Sequence, residues 1–185
     1  MGVAVQQMTK SVVTPFRQQD HDHDHCVDEA LAQAEHNCLR RGVRLTKIRR
    51  RVLELIWRRH EPVKAYDLLD RLKAEHRSAA PPTVYRALDF LLVEGLIHRI
   101  ESLNAYVGCG DPSHPHLGQF LICQHCNAVA ELNDPDINTL LKRKSQQLGF
   151  QVNWQTIEIN GVCPECQAGR QSAAEQPGSE ATKKP

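Results

Sequence analysis

With 185 residues, 41% of them hydrophobic and 24% charged, the chain holds enough apolar surface for one or two small cores, and its formal net charge of +1 excludes a uniformly polycationic or polyanionic protein. No apolar stretch approaches the roughly 20 residues a membrane helix needs, and the N-terminus lacks the basic-then-apolar pattern of a secretory signal. A cytoplasmic protein with no membrane partner is expected, and in a reducing compartment its seven cysteines point to metal rather than disulfides.

Residues 1–25, with His21-Asp22-His23-Asp24-His25, carry too few apolar residues for a core and are expected to form a disordered tail. Those histidines and Cys26 are read as solvated low-complexity sequence rather than a metal site. Helical spacing then takes over. Ala30, Ala34 and Cys38 mark a helix that should stop at Gly42, and Thr46 is placed to cap a second whose stripe is Ile48, Val52, Leu55 and Ile56. After Pro62, Ala65, Leu68, Leu69 and Leu72 mark a third. A fourth opens at Pro81-Pro82-Thr83, lines up Val84, Leu88, Leu91 and Leu92, and ends at Gly95.

Between Arg40 and Arg59 nine basic residues stand against the single acid Glu54, a balance suited to phosphate. On the fourth helix the apolar stripe puts Arg86 on the opposite, outward side, with Thr83 and Tyr85 on the flanks. Amides and dipole at a helix start attract phosphate, so this end is suited to a DNA major groove. Ile97 to Glu101 and Asn104 to Val107 then alternate as a hairpin. Helices followed by a hairpin describe a winged helix-turn-helix domain over residues 26–108; periodicity alone fits a helical bundle with a β appendage equally well.

The second half, residues 109–168, is net acidic and carries Cys123-Gln124-His125-Cys126 and Cys163-Pro164-Glu165-Cys166, two C-x-x-C pairs separated by 36 residues. Together they offer the four thiolates of a structural zinc. Both are expected as knuckles at strand ends. The alternative, a redox dithiol, normally sits at a helix N-terminus in a βαβ unit, a setting neither pair is expected to have. Residues 169–185 read as a polar tail.

The runs Ala65-Tyr66-Asp67-Leu68-Leu69, Pro81-Pro82-Thr83-Val84-Tyr85-Arg86-Ala87-Leu88-Asp89-Phe90-Leu91 and Gly95-Leu96-Ile97-His98-Arg99-Ile100-Glu101-Ser102 resemble the ferric uptake regulator family, and within it the zinc uptake regulators most. The resemblance spans roughly Ala30 to Cys166. It implies an α+β protein with an N-terminal winged helix-turn-helix and a small α/β dimerisation domain, acting as a homodimeric, zinc-dependent transcriptional repressor at palindromic double-stranded operators of zinc uptake and homeostasis genes. Two Zn²⁺ per subunit are expected, with no catalytic residues and no small organic substrate.

Carried over by position, the resemblance assigns structural zinc to Cys123, Cys126, Cys163 and Cys166 and regulatory zinc to His98, Cys109, His116 and Glu131, with His114 an alternative to His116. Two imidazoles, one thiolate and one carboxylate balance the charge of Zn²⁺, which lowers the cost of burying the site. Arg86 is the base-contact candidate; Tyr66, Tyr85, Thr83, Arg44 and Arg49 are candidates for phosphate contact and groove positioning. Asp70 and Lys73 are read as a link between adjacent dimers on DNA or as a pair within one helix.

The iron- and peroxide-sensing relatives carry a His-rich cluster before the first C-x-x-C, whereas this chain has only Ser113-His114-Pro115-His116. Retaining a thiolate at Cys109 favours zinc over iron or manganese. Competing readings are an iron, manganese or peroxide regulator, a thiol redox enzyme, a zinc hydrolase and a zinc-stabilised adaptor. No H-E-x-x-H or G-x-S-x-G occurs, and four protein ligands leave no open position for activated water.

Overall fold

Apolar residues recur every three to four positions from Val27 onward, and the computed structural model, which describes residues 11–16, 23–59, 61–75, 79–113 and 116–174, winds them into four helices. These are α1 (His23–Arg40), α2 (Lys47–Trp57), α3 (Ala65–Glu75) and α4 (Pro81–Val93). Their inner faces share one cluster in which Leu31, Ala34, Val52, Ile56, Leu68, Leu72, Leu88 and Leu91 are at most 3% exposed. Each large aliphatic side chain so buried contributes about 1.5–3 kcal/mol, so the interior rather than the charged surface fixes the helix positions. Thr46 occupies the cap position of α2, yet its side chain makes no capping bond.

Gly95, at φ +67, ends α4: its amide bonds Leu92 O at 3.0 Å and the Leu96 amide bonds Leu91 O at 2.9 Å. This closure turns the chain directly into β2 (Ile97–Ile100), which pairs antiparallel with β3 (Ala105–Gly108). Val63 and Tyr106 exchange both backbone bonds, at 2.8 and 2.9 Å, and stitch the hairpin to the segment before α3. Helices and hairpin together form a winged helix-turn-helix.

The remaining strands are β4 (Gly118–Cys123), β5 (Val129–Leu132) and β6 (Thr156–Gly161), with α5 (Pro135–Gln147) crossing between β5 and β6 and α6 (Pro164–Ala174) following. A short N-terminal strand, β1 (Val12–Thr14), completes a sheet of order β1-β5-β4-β6, antiparallel except between β4 and β6. Ile100 from the hairpin packs with Phe120 and Ile122 of the sheet, flanked by Leu103, Val107 and Val129, so the wing rests on the second unit through an apolar contact.

Three expectations need correction. Within the tail assigned to residues 1–25, Val12–Thr14 form a strand and α1 begins at His23, because the open edge of β5 supplies backbone partners that composition does not reveal. His21 and Asp22 lie outside the described residues. Residues 169–174 of the polar tail continue α6. Cys163 directly precedes α6, so the second C-x-x-C heads a helix as well as closing a strand.

Helix α5 has no buried residue. It is held at its start, where Asp134 caps the amides of Asp136 and Ile137 at 2.8 and 3.3 Å and buried Gln119 reaches Asp134 O and Asn138 Oδ1, both at 3.0 Å. Around it Leu140, Leu148, Phe150 and Trp154 stand exposed, an apolar face left open in the single chain. Among the described residues no helix is long and apolar enough to cross a membrane.

Candidate metal centres and nucleic-acid face

β4 ends on Cys123, a tight turn with Asn127 at φ 58 carries Cys126, and Cys163 and Cys166 arrive where β6 gives way to α6. The four Sγ atoms all lie within 4.8 Å of one another, and Cys126 Sγ is 3.7 Å from Cys163 Sγ. None is in a disulfide. A disulfide requires about 2.05 Å, whereas sulfurs on a tetrahedron of Zn–S bonds of about 2.3 Å stand about 3.8 Å apart. Burial opposes ionisation of Cys123, but the amides of Cys163, Cys126 and His125 bring its pKa down to about 6, toward the thiolate that a metal requires. A redox dithiol at the head of α6 would lack this second pair against it.

The other cluster draws on four segments. His98 lies in β2, Cys109 just beyond β3, His116 just before β4 and Glu131 in β5. His98 Nε2 and His116 Nε2 lie 2.7 and 2.6 Å from Glu131 Oε1, Cys109 Sγ lies 3.6 Å from His116 Nε2, and all four ligand atoms fall within 4.8 Å of one another. The His116 and Glu131 side chains are 4% exposed. Glu131 Oε2 accepts the Gly110 amide at 2.9 Å, which orients the carboxylate, and the Phe120 ring backs His98 at 5.3 Å. His114 lies outside the described residues.

Charge inside this cluster is strongly coupled. Burial works against an ionised Glu131, but His116 and His98 outweigh it and hold the carboxyl at about 2. Burial likewise works against a charged His98, yet Cys109 and Glu131 lift it to about 9. Cys109 is lowered: burial pushes it up, but His116 and His98 pull it down further. Among the described residues His98 Nε2 is a buried nitrogen that makes no well-formed hydrogen bond, although it lies 2.7 Å from Glu131 Oε1. Such atoms are uncommon, and a Lewis-acidic cation is the partner this donor set fits.

In the winged unit, Arg86 and Tyr85 are exposed and Thr83 half-buried near the start of α4, while Tyr66 at the start of α3 is 71% exposed. The helix-start argument for phosphate needs correction. Pro81 and Pro82 have no N–H to offer, and the Thr83 amide is bonded to Ala80 O at 2.9 Å. The basic run is also largely committed to the fold: Arg41 pairs with Glu94, Arg50 with Glu35, Arg51 with Glu54 and Glu75, and Arg58 with Glu54. Arg49 lies 3.6 Å over the Phe90 ring and donates to Arg44 O at 2.7 Å. Arg44 and Lys47 are exposed, and Arg49, read in the sequence with Arg44 as a phosphate-contact candidate, lines a surface cavity together with Thr83 and Arg86. Asp70 and Lys73 are both exposed, and among the described residues no ion pair joins them.

The family model described as ferric uptake regulator family matches residues 40–160. The zinc uptake regulation protein of Escherichia coli strain K12 is 42% identical over 139 residues, covering 75% of this chain and 81% of that protein. A solved zinc uptake regulator complexed with zinc and DNA superposes with a TM-score of 0.75 at 40% identity, covering 78% of this chain and 97% of that one. The crystal structure of holo XcZur gives a TM-score of 0.71 at 46% identity, covering 76% and 98%.

Proposed function

The chain belongs to the ferric uptake regulator family, and from that premise we propose that it is a zinc-dependent transcriptional repressor, a homodimer that binds palindromic operators of zinc uptake and homeostasis genes when loaded with zinc. It is a cytoplasmic regulator, not an enzyme. The observation that carries this reading is the buried meeting of His98 with Cys109, His116 and Glu131, because it draws on both the wing and the sheet.

Residues 26–108 are the reading unit and residues 109–168 the dimerisation unit. Cys123, Cys126, Cys163 and Cys166 hold a structural zinc that ties β4 to the start of α6; His98, Cys109, His116 and Glu131 hold the regulatory one. When bound there, zinc supplies a divalent charge that satisfies His98 and joins wing to sheet. The chain's own residues do the rest. His98 carries the constraint into β2, whose position against α4 sets the presentation of Arg86. The open apolar face around α5 supports pairing with a second copy, which would place two α4 helices on successive major grooves. Arg86 contacts a base edge, while Arg44, Lys47, Thr83, Tyr66 and Tyr85 position the backbone. Exposed, unjoined Asp70 and Lys73 are available to link neighbouring dimers.

A gel shift on a palindromic promoter fragment, with and without free zinc at fixed salt, tests this reading directly. Tight specific binding only with zinc supports it; binding indifferent to chelator removes it. Salt is fixed because phosphate contacts make affinity steeply dependent on ionic strength.

A further inference from the structure

Strand β1 lies upstream of the stretch that matches the family model, yet it ends against the regulatory cluster. Thr14 is in register with the ligand Glu131, Val12 with Leu132, and the Asn133 amide bonds Ser11 O at 2.7 Å. The strand also presses on the neighbouring ligand. A Cβ on Gly110 would collide with the Thr14 hydroxyl, fall 2.9 Å from Val13 Cγ1, and stand 3.3 Å from Glu131 Oε2. Only glycine therefore lets the loop carrying Cys109 lie between β1 and the carboxylate.

Among the described residues the Thr14 hydroxyl is itself buried without a hydrogen-bond partner. It borders both a cavity of about 120 Å³ shared with Cys109 and Gly110 and a smaller one of about 50 Å³ shared with Glu131. A buried hydroxyl left unpaired is unusual, and here it lies on the same glycine as Glu131 Oε2.

We infer that β1 is a strap that closes the regulatory zinc site on the sheet side and slows exchange of the ion, with Thr14 as the positioning residue that holds the Gly110 loop against Glu131. The inference rests on the sensor reading of His98, Cys109, His116 and Glu131. Strand pairing fixes β1 to β5; β1 in turn pins Gly110, whose amide fixes the Glu131 carboxylate. His98 and His116 also line a cavity of about 400 Å³ away from β1, so the strap governs the sheet-side route: there water and competing chelators reach Glu131 and Cys109 when β1 detaches, and release by that route is tied to opening of a three-residue strand.

The test uses the dimeric full-length protein loaded with two zinc ions per subunit, a chain lacking residues 1–16, and a full-length Thr14→Lys variant whose charge cannot seat in the buried position. Release of the regulatory zinc into a colorimetric chelator should be at least about tenfold faster in both altered chains, while the structural zinc stays bound. Equal release rates in all three overturn the strap. In unaltered zinc-free protein the Asn133 amide should exchange slowly with solvent; exchange as fast as an open sheet edge overturns it without any variant. Unaltered protein that holds only one zinc per subunit sinks the sensor reading, and this inference with it, whereas two bound ions with unchanged release sink the strap alone.

Discussion

The Glu158 carboxylate accepts the backbone amide of Glu101 at 2.6 Å and, through its second oxygen, that of Ser102 at 3.1 Å, so a side chain of β6 holds the tip of the wing. This clasp joins the same two units as the regulatory ligands but needs no metal. Glu158→Gln removes a charged acceptor at a solvent-exposed contact, worth about 1 kcal/mol. Operator affinity at saturating zinc, read by fluorescence anisotropy, should fall about fivefold with dimer and structural zinc intact. Unchanged affinity would assign the wing's position to the zinc site and the Ile100–Phe120–Ile122 contact alone.

Cys163→Ser removes a thiolate from a site whose other sulfurs are then left to repel one another. Structural zinc sites supply folding free energy outright, so the variant should lose that ion and dissociate to monomers or unfold beyond the winged unit. Sedimentation with metal analysis decides it; a stable, zinc-replete dimer speaks against a Cys₄ centre.

Arg86 and Arg49 separate recognition from folding. Arg86 is exposed, so Arg86→Ala should leave the melting temperature nearly unchanged and cost about 1–3 kcal/mol of discrimination between operator and random duplex. Arg49 stacks on Phe90 and bonds Arg44 O, so Arg49→Ala should lower stability by about 1 kcal/mol. Thermal melts and competition gel shifts on both variants check the split; the opposite assignment would reverse these roles.

Acid–base linkage gives a further expectation. In zinc-free protein His98 keeps its proton to about pH 9, against 6.5 for the ordinary side chain. The folded value is the raised one, so the stability from its contacts with Cys109 and Glu131 is fully present below pH 6.5 and is lost as pH rises through 9. Ligation must expel that proton, so regulatory-zinc affinity should climb with pH across this window, about tenfold per unit for each proton released. Titration calorimetry in two buffers of different ionisation enthalpy counts the protons; none released at the second zinc contradicts the assignment.

Much of this was legible in the sequence because it rests on residue type or period. The helices followed from apolar spacing, as at Val52, Leu55 and Ile56, and the candidate set Cys123, Cys126, Cys163 and Cys166 from the spacing of two C-x-x-C pairs, whereas His98, Cys109, His116 and Glu131 were expected only from the family resemblance, since most of the ten histidines lie outside both clusters. What was hidden depends on tertiary register. Glu158 looks like any solvent-facing acid in an alternating strand until β6 is laid beside the wing. Val12–Thr14 is too short for periodicity and acquires its role from the edge of β5. Arg49 reads as one more cation in a basic run, and only the approach of α4 puts Phe90 beneath it. The two prolines that open α4 were visible as a helix start, yet the same residues remove the amides from which a phosphate site was expected.

The most direct measurement is native mass spectrometry of the dimer at controlled free zinc, run beside operator binding on the same samples and on Cys109→Ser. Two zinc ions per subunit at sufficiency and one under limitation are expected, with operator binding following the second ion and Cys109→Ser fixed at one ion without operator binding. One ion per subunit under every condition, or full operator binding by Cys109→Ser, would contradict the account.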